Sequence, residues 1–247
     1  MSESADFVME NKAIDIHHHY VPQQLIDETK RHGKTLGVGI TEDRGSHALS
    51  FAGSKPHRLQ PALMDVDRRI ETMDQGQVAI ATLEANTNSL GYRLTGDQGE
   101  NWCRLYNDCM NELVKERPDR FVGMATVPLQ DAARAAKVLE HAIIDLKFRG
   151  AFVGTNVNGQ YYNIKDFDYF WAKAQELDVL IVMHPEHIAR RRAHGLLRAQ
   201  RRVRQSGRFD PFTRLHVVQR LVRSISEFEN LRPPWRRLFA LSPRPLR

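Results

Sequence analysis

Histidines stand at the ends of two short apolar segments of the chain. The first segment leads into His17, His18 and His19, and the second, residues 179–183, ends at His184. Side chains alternate between the two sides of a strand, so His17 and His19 point the same way and His18 points away. Imidazoles gathered at one place can hold a divalent cation. The alternatives are an accidental cluster or a tag remnant for the first set, and a structural histidine for His184.

Five apolar runs predict β-strands, and amphipathic patterns between them predict helices. The predicted strands are residues 13–17, 78–83, 121–127, 150–156 and 179–184. The predicted helices are residues 65–75, 98–117, 131–146 and 166–177. Strands joined by helical crossovers form a parallel sheet. Residues 23–57 are the least regular part of this pattern, and we interpret them as an insertion over one end of the sheet.

Two α/β architectures fit such a sheet, an open doubly wound sheet and a (β/α)₈ barrel. No glycine-rich phosphate loop follows the first strand, which weighs against the doubly wound fold. A barrel of eight units takes about 250 residues, and five units within the first 188 residues match that pace. We therefore predict an incomplete (β/α)₈ TIM-type barrel with about five recognisable units. The active site of a barrel lies at the carboxyl ends of its strands, where the histidines stand.

Charge divides the chain into unequal parts. Residues 189–247 hold 16 arginines, no lysine and 3 acidic residues, a net charge of +13, whereas residues 1–188 hold 20 basic and 27 acidic residues, a net charge of −7. We therefore predict an N-terminal extension over residues 1–12, a barrel portion over 13–188 and an Arg-rich tail over 189–247. The arginines of the tail follow no helical stripe or known motif, so nucleic acid is not an expected partner.

Several protein classes are excluded at this stage. No apolar run approaches the roughly 20 residues that span a bilayer, so no membrane association is expected. The acidic first residues lack the pattern of a secretory signal. Cys103 and Cys109 are the only cysteines and provide no disulfide framework, so they are expected to pack in the core. These features predict a cytoplasmic protein.

Other polar and aromatic residues are given structural interpretations. Asp15 either orients a ligand imidazole or bonds to nearby backbone. Arg69 is assigned to a charged helix face, together with Asp65, Arg68 and Asp74. Trp102 and Tyr106 lie one helical turn apart, which predicts core residues whose polar tips reach a partner or the rim.

Five stretches of the chain resemble a known family in their order and spacing. They are residues 14–22, 64–74, 118–131, 150–156 and 181–186. Together they resemble the amidohydrolase superfamily, in particular the branch of aminocarboxymuconate semialdehyde decarboxylase and related aromatic-acid decarboxylases. No single stretch is decisive, whereas the ordered set, which covers about residues 13–188, is specific.

The resemblance implies a metal-dependent enzyme. His17, His19 and His184 match the histidine ligands of one divalent metal ion, with zinc expected first and manganese second. Arg58 lies near the position of an arginine that holds the substrate carboxylate, although a solvated loop arginine fits as well. The implied reaction is decarboxylation of a small unsaturated or aromatic carboxylic acid. A hydrolase of the same superfamily, acting on a lactone or amide, is the alternative, and a homodimer is the assembly to be tested.

The chain departs from the family after about residue 188. A complete member has a catalytic histidine after the sixth strand and a metal-ligand aspartate after the eighth, and neither is recognisable here, so the catalytic residues are left unassigned. Nothing in the spacing of His187, His194, Asp210 or His216 recommends them as substitutes. The change from mixed Lys and Arg to Arg alone is typical of a reading-frame shift in GC-rich DNA. We therefore hypothesise a truncated or frame-shifted barrel, which adds an inactive fragment as a third alternative.

Overall fold

The computed structural model describes residues 13–43, 45–162 and 164–185 and has an α/β fold. Its strands are β1 Ala13–His19, β2 Val38–Asp43, β3 Ser46–Phe51, β4 His57–Arg58, β5 Val78–Glu84, β6 Phe121–Gly123, β7 Gly150–Gly154 and β8 Leu180–His184. Its α-helices are α1 Gln23–Leu36, α2 Val66–Gln75, α3 Gly96–Glu116, α4 Ala132–Ile144 and α5 Asp168–Glu176. None of the helices in these ranges is long and apolar enough to cross a membrane. The predicted α/β class is confirmed.

Five parallel strands follow one another in the order β1, β5, β6, β7, β8. β5 pairs with β1 and with β6, and β7 pairs with β8, all in parallel. Ala125, just after β6, joins the two groups through a parallel bridge to Ala151 of β7. The Ala125 amide donates to the Gly150 carbonyl at 2.8 Å. These strands form part of a barrel, and the predicted truncation concerns residues outside those described.

The strands and their crossover helices follow from simple sequence features. Residues 79–84 of β5 and all five residues of β7 are buried, as expected for parallel strands covered on both faces. Asp65, Thr95 and Asp131 stand before α2, α3 and α4, and each accepts the backbone N–H of the residue three positions later. Such a cap satisfies one of the free N–H groups of the first turn. All four helices predicted from the sequence are present, and their ends lie within about two residues of the predicted ends.

Helix α3 anchors the carboxyl ends of the strands. Trp102 and Tyr106 are fully buried. The Trp102 indole N–H donates to the Ser89 carbonyl and the Tyr106 hydroxyl to the Tyr20 carbonyl, both at 2.7 Å. Both aromatic residues therefore combine core packing with a hydrogen bond to the loop that leaves a strand, as predicted. The two cysteines are free and buried, as expected.

The irregular segment between β1 and β5 holds a small antiparallel sheet. β3 pairs with β2 on one side and with β4 on the other, and helix α1 precedes them. Gly37 ends α1 with a φ of 69°, a left-handed conformation that glycine adopts without strain. The Phe51 ring of β3 contacts the Trp102 ring edge-on, with centroids 5.2 Å apart. This insertion therefore packs on the first turns of α3.

Candidate metal centre

The three histidines that were predicted to bind a metal ion converge in the structure. One ligand nitrogen from each of His17, His19 and His184 lies within 4.8 Å of the others. The ring centroids are 4.7 Å apart for His17 and His19, 5.1 Å for His17 and His184, and 5.3 Å for His19 and His184. Among the described residues, this is the only group of three or more His, Cys, Asp or Glu side chains placed to share a cation.

The curvature of the sheet makes this convergence possible. His17 and His19 stand on β1, the first strand of the parallel series, and His184 stands on β8, the fifth. Four interstrand spacings would separate these strands by roughly 19 Å in a flat sheet. The observed separation of about 5 Å between the rings requires the five strands to curve around a common axis, as barrel strands do.

His18 lies outside the cluster, as strand alternation predicts. Its Nδ1 is 2.9 Å from Asp15 Oδ2, and Asp15 Oδ1 accepts the backbone N–H of His17 at 3.0 Å. Of the two roles considered for Asp15, the structure shows the bond to nearby backbone. The carboxylate also binds an imidazole, although that imidazole belongs to the histidine outside the cluster.

The hydrogen bonds of two clustered rings fix which nitrogen carries the proton. His19 Nδ1 is 3.0 Å from the Ala85 carbonyl, and His184 Nδ1 is 2.9 Å from the Pro185 carbonyl. A carbonyl oxygen only accepts hydrogen bonds, so each Nδ1 must be the protonated nitrogen. The Nε2 atom of each ring then carries the lone pair, which is the form that binds a metal ion.

The third ring is held by Glu84, a residue that sequence reasoning missed. His17 Nδ1 lies 2.6 Å from Glu84 Oε2. Glu84 ends β5, opposite His19 in the parallel register, and its side chain is fully buried. The available signal was a charged residue at the end of an apolar strand, one position beyond the predicted end at residue 83.

Burial and neighbouring groups shift the pKa values of His17, His19 and Glu84 in the direction that favours their uncharged forms. Partial burial, and next the neighbouring His184, lower the pKa of His17. Burial, and next His17, lower the pKa of His19 to about 4. Burial, and next the charge of Asp15, raise the pKa of Glu84 to about 8. A divalent cation on the imidazoles would favour the ionised form of this carboxylate, since an adjacent positive charge stabilises it.

The donor set fits a divalent transition metal. Neutral imidazoles are suitable ligands for zinc and for related divalent ions, and three of them leave a coordination position for water or substrate. The fully buried Phe152 ring lies 5.5 to 5.9 Å from all three histidine rings, measured between centroids. An apolar ring in this place closes one side of the cluster to water.

Arg58 and Arg69 differ in burial, since Arg58 is exposed and Arg69 is buried. Arg58 is exposed on β4, and its Nη2 donates to Ser46 Oγ at 3.1 Å. Its assignment as the substrate-carboxylate ligand stays a prediction. Arg69 is buried, so it does not share the exposed charged face of α2 with Arg68, although its contacts are structural, as interpreted. The Arg69 Nη2 donates to the backbone carbonyls of His19 at 3.0 Å and Leu63 at 3.1 Å.

Comparisons with known proteins agree with this centre. The sequence profile of the amidohydrolase family matches residues 14–232, which extends beyond the predicted boundary at residue 188. The tail lies outside the described residues, so that boundary stays a prediction. Gamma-resorcylate decarboxylase of Rhodococcus jostii RHA1 is 32% identical over 158 residues, which are 60% of this chain and 48% of the relative. The 2-amino-3-carboxymuconate-6-semialdehyde decarboxylase of Dictyostelium discoideum is 25% identical over 70% of this chain and 48% of its own length.

A solved structure shows the same fold. The dihydroxybenzoic acid decarboxylase of Polaromonas sp. JS666, crystallised with manganese and the inhibitor 2-nitroresorcinol, superposes with a TM-score of 0.56 at 23% identity. The superposition covers 74% of this chain and 52% of the decarboxylase. The chain spans about half the length of the curated relatives that it matches. The profile match shows that the chain belongs to the amidohydrolase family, and its curated relatives are decarboxylases of that family.

Proposed function

We propose that the protein is a metal-dependent decarboxylase of an aromatic carboxylic acid. The single observation that carries the proposal is the convergence of three imidazoles at the carboxyl ends of the barrel strands. The names of the curated relatives support the reaction and the substrate class. The reaction replaces the carboxylate of the substrate with a proton and releases carbon dioxide.

The residues of the chain have distinct tasks in this proposal. His17, His19 and His184 hold one divalent cation through the nitrogens that face one another. When bound, that cation supplies a Lewis acid for the anionic oxygens of the substrate. Phe152 excludes water from one side of the cluster. Arg58 is proposed to bind the substrate carboxylate, because a guanidinium group forms paired hydrogen bonds with a carboxylate.

The identity of the cation is part of the proposal. Three imidazoles accept both zinc and manganese, and zinc is the first expectation from the sequence. The solved decarboxylase of Polaromonas contains manganese. Both ions are therefore used in the experiment below.

The observations bear differently on the two alternatives to a decarboxylase, which are a hydrolase and an inactive fragment. No feature of the described residues favours hydrolysis of a lactone or amide over decarboxylation. The inactive-fragment alternative depends on residues after 185, which lie outside the described part of the chain. The oligomeric state and the expected homodimer stay predictions.

A direct assay tests the function. The full chain is loaded with Mn²⁺ or Zn²⁺ and incubated with gamma-resorcylate, further hydroxybenzoic acids and a lactone panel. We expect release of carbon dioxide from an aromatic acid, its loss in His184→Ala, and its retention in His18→Ala, the matched histidine outside the cluster. Metal-loaded protein that releases no carbon dioxide from any acid, or that opens only lactones, would overturn the proposal.

A further inference from the structure

Glu84 is a buried carboxylate with a single described hydrogen bond. Its side chain has no exposed surface, and Oε2 lies 2.6 Å from His17 Nδ1. Among the residues that the structure describes, Oε1 has no hydrogen-bond partner. Burial of a carboxylate is unfavourable unless its charge or hydrogen bonds are used. Packing alone therefore gives no reason for a glutamate at this position.

The residues beside Glu84 show that its carboxyl group lies in a buried, apolar part of the chain, where it lowers stability. The flanking Leu83 and Ala85 are fully buried and apolar. Leu83 points to the opposite face of β5, and on its own face Glu84 presents a buried Oε1 without a described hydrogen-bond partner. The arrangement is thus one in which a functional contribution offsets a loss of stability.

The three histidine rings differ in what orients them. His19 and His184 donate to backbone carbonyls, which are present whatever the side chains are. His17 alone is oriented by a side chain, that of Glu84. The direction of the His17 ligand nitrogen therefore depends on one substitutable residue.

We propose that Glu84 is a positioning residue of the metal centre. Its side-chain oxygen accepts the Nδ1–H of His17 and directs the opposite nitrogen toward His19 and His184. Carboxylate groups that accept from a ligand imidazole fix the ring and increase its basicity. This inference rests on the proposed metal centre, although it does not depend on the reaction that the centre catalyses.

The test compares metal affinity with stability in the full chain. Dissociation constants for Mn²⁺ and Zn²⁺ are measured by titration for Glu84→Leu and Glu84→Gln, and the melting temperature is measured without added metal. We expect the dissociation constant to rise about 10- to 100-fold in Glu84→Leu, the usual effect of losing such a partner. The rise should be smaller in Glu84→Gln, because its amide oxygen still accepts from His17.

Stability separates this role from a purely structural one. The melting temperature of Glu84→Leu should be unchanged or higher, since a buried polar group with an unpartnered oxygen has been removed. Asp145→Asn is the matched control, because Asp145 Oδ2 lies 2.7 Å from His141 Nδ1 in an exposed carboxylate–imidazole pair far along the chain. The metal affinity of the Asp145→Asn variant should equal that of the unmodified protein.

Several results would overturn the inference. These are unchanged affinity in Glu84→Leu, or, if that variant does not fold, unchanged affinity in Glu84→Gln. Affinity that falls only together with the melting temperature would also overturn it. Weakened metal binding in both variants with no carbon dioxide released by the unmodified protein would support this inference and contradict the proposed decarboxylase. Carbon dioxide release with unaffected binding in both variants would do the opposite.

Discussion

The two strands that supply the imidazoles are held in different ways. At the end of β1, the His19 carbonyl accepts from Arg69 and the Tyr20 carbonyl accepts from Tyr106. At the end of β8, the His184 carbonyl accepts from the Thr155 amide at 2.9 Å. The β1 end is therefore fixed by buried side chains from two helices, whereas the bonds described at the β8 end come from adjoining backbone.

This difference indicates that the ligands of β1 are held more firmly than the ligand of β8. Two ligands come from the strand end that is held by buried side chains, and the third comes from a strand that pairs with β7 alone among the described residues. Preorganised ligands lower the cost of binding, and an adaptable ligand allows the cluster to contract around a cation. We expect substitutions at the β1 end to be more damaging than substitutions elsewhere.

The largest effect is expected from removing a ligand on β1. His19→Ala should weaken Mn²⁺ and Zn²⁺ binding by more than about 100-fold, since loss of an outer partner of a ligand alone costs about 10- to 100-fold. Titration of the metal against the purified protein measures this. His18→Ala, a change to the neighbouring histidine outside the cluster, should bind as the unmodified protein does. Equal affinity of the two variants would contradict the assigned ligand set.

The next effect concerns the guanidinium group that holds the end of β1. Arg69→Met keeps the length of the side chain but removes the guanidinium donor to the His19 carbonyl and one of two donors to the Leu63 carbonyl, which also accepts from the Val21 amide. The loss should cost about 2–4 kcal/mol of unfolding free energy. Urea denaturation measures this loss. Arg68→Met is the control, because Arg68 is the exposed neighbour on the same helix. A similar loss in both variants would show that the substitutions weaken helix α2 in general, and that the hydrogen bonds of Arg69 to the end of β1 make no separate contribution to stability.

A smaller effect is expected from the hydroxyl group that reaches Tyr20. Tyr106→Phe removes the buried hydrogen bond to the Tyr20 carbonyl and the interaction of the hydroxyl with the Asn86 backbone, which should cost about 1–2 kcal/mol. Tyr169→Phe, on an exposed tyrosine, should leave the unfolding free energy unchanged. If Tyr106→Phe also lowers metal affinity, the β1 end contributes to preorganisation. Unchanged stability would contradict the structural role given to this hydroxyl.

The smallest effect belongs to the part of the molecule that leads to β7 and β8. Asp131→Ala removes the side chain that caps α4, which should cost about 1 kcal/mol of unfolding free energy. Thermal and urea denaturation measure this change. Metal affinity should not change, because the cap holds none of the ligands. A parallel loss of metal affinity would show that binding follows general stability, and would remove the contrast between the two strand ends.

Local patterns in the sequence predict much of this molecule. The alternation along a strand is enough to separate His17 and His19 from His18. The barrel pattern is enough to bring His184 to the same rim, because carboxyl ends of parallel strands share one side. These inferences succeed because they depend on neighbouring residues and on a regular fold.

Contacts between distant residues were harder to predict. Glu84 and His17 are 67 positions apart, so no local pattern announces their hydrogen bond. Arg69 lies three residues after Val66 and four before Met73, which places it on the buried stripe of α2 despite its charge. The insertion at residues 23–57 is predicted, but its antiparallel strands are not, because they are short and β3 is only half-buried. In each case tertiary packing decided the role of the residue.

Anomalous diffraction from crystals of the full chain grown with Mn²⁺ or Zn²⁺ is the most direct test of the metal centre. The expected result is one strong peak bonded to one nitrogen of each of His17, His19 and His184, at about 2.0–2.1 Å when the ion is zinc. A peak bound by other residues, or three rings that lie apart around no ion, would contradict the account.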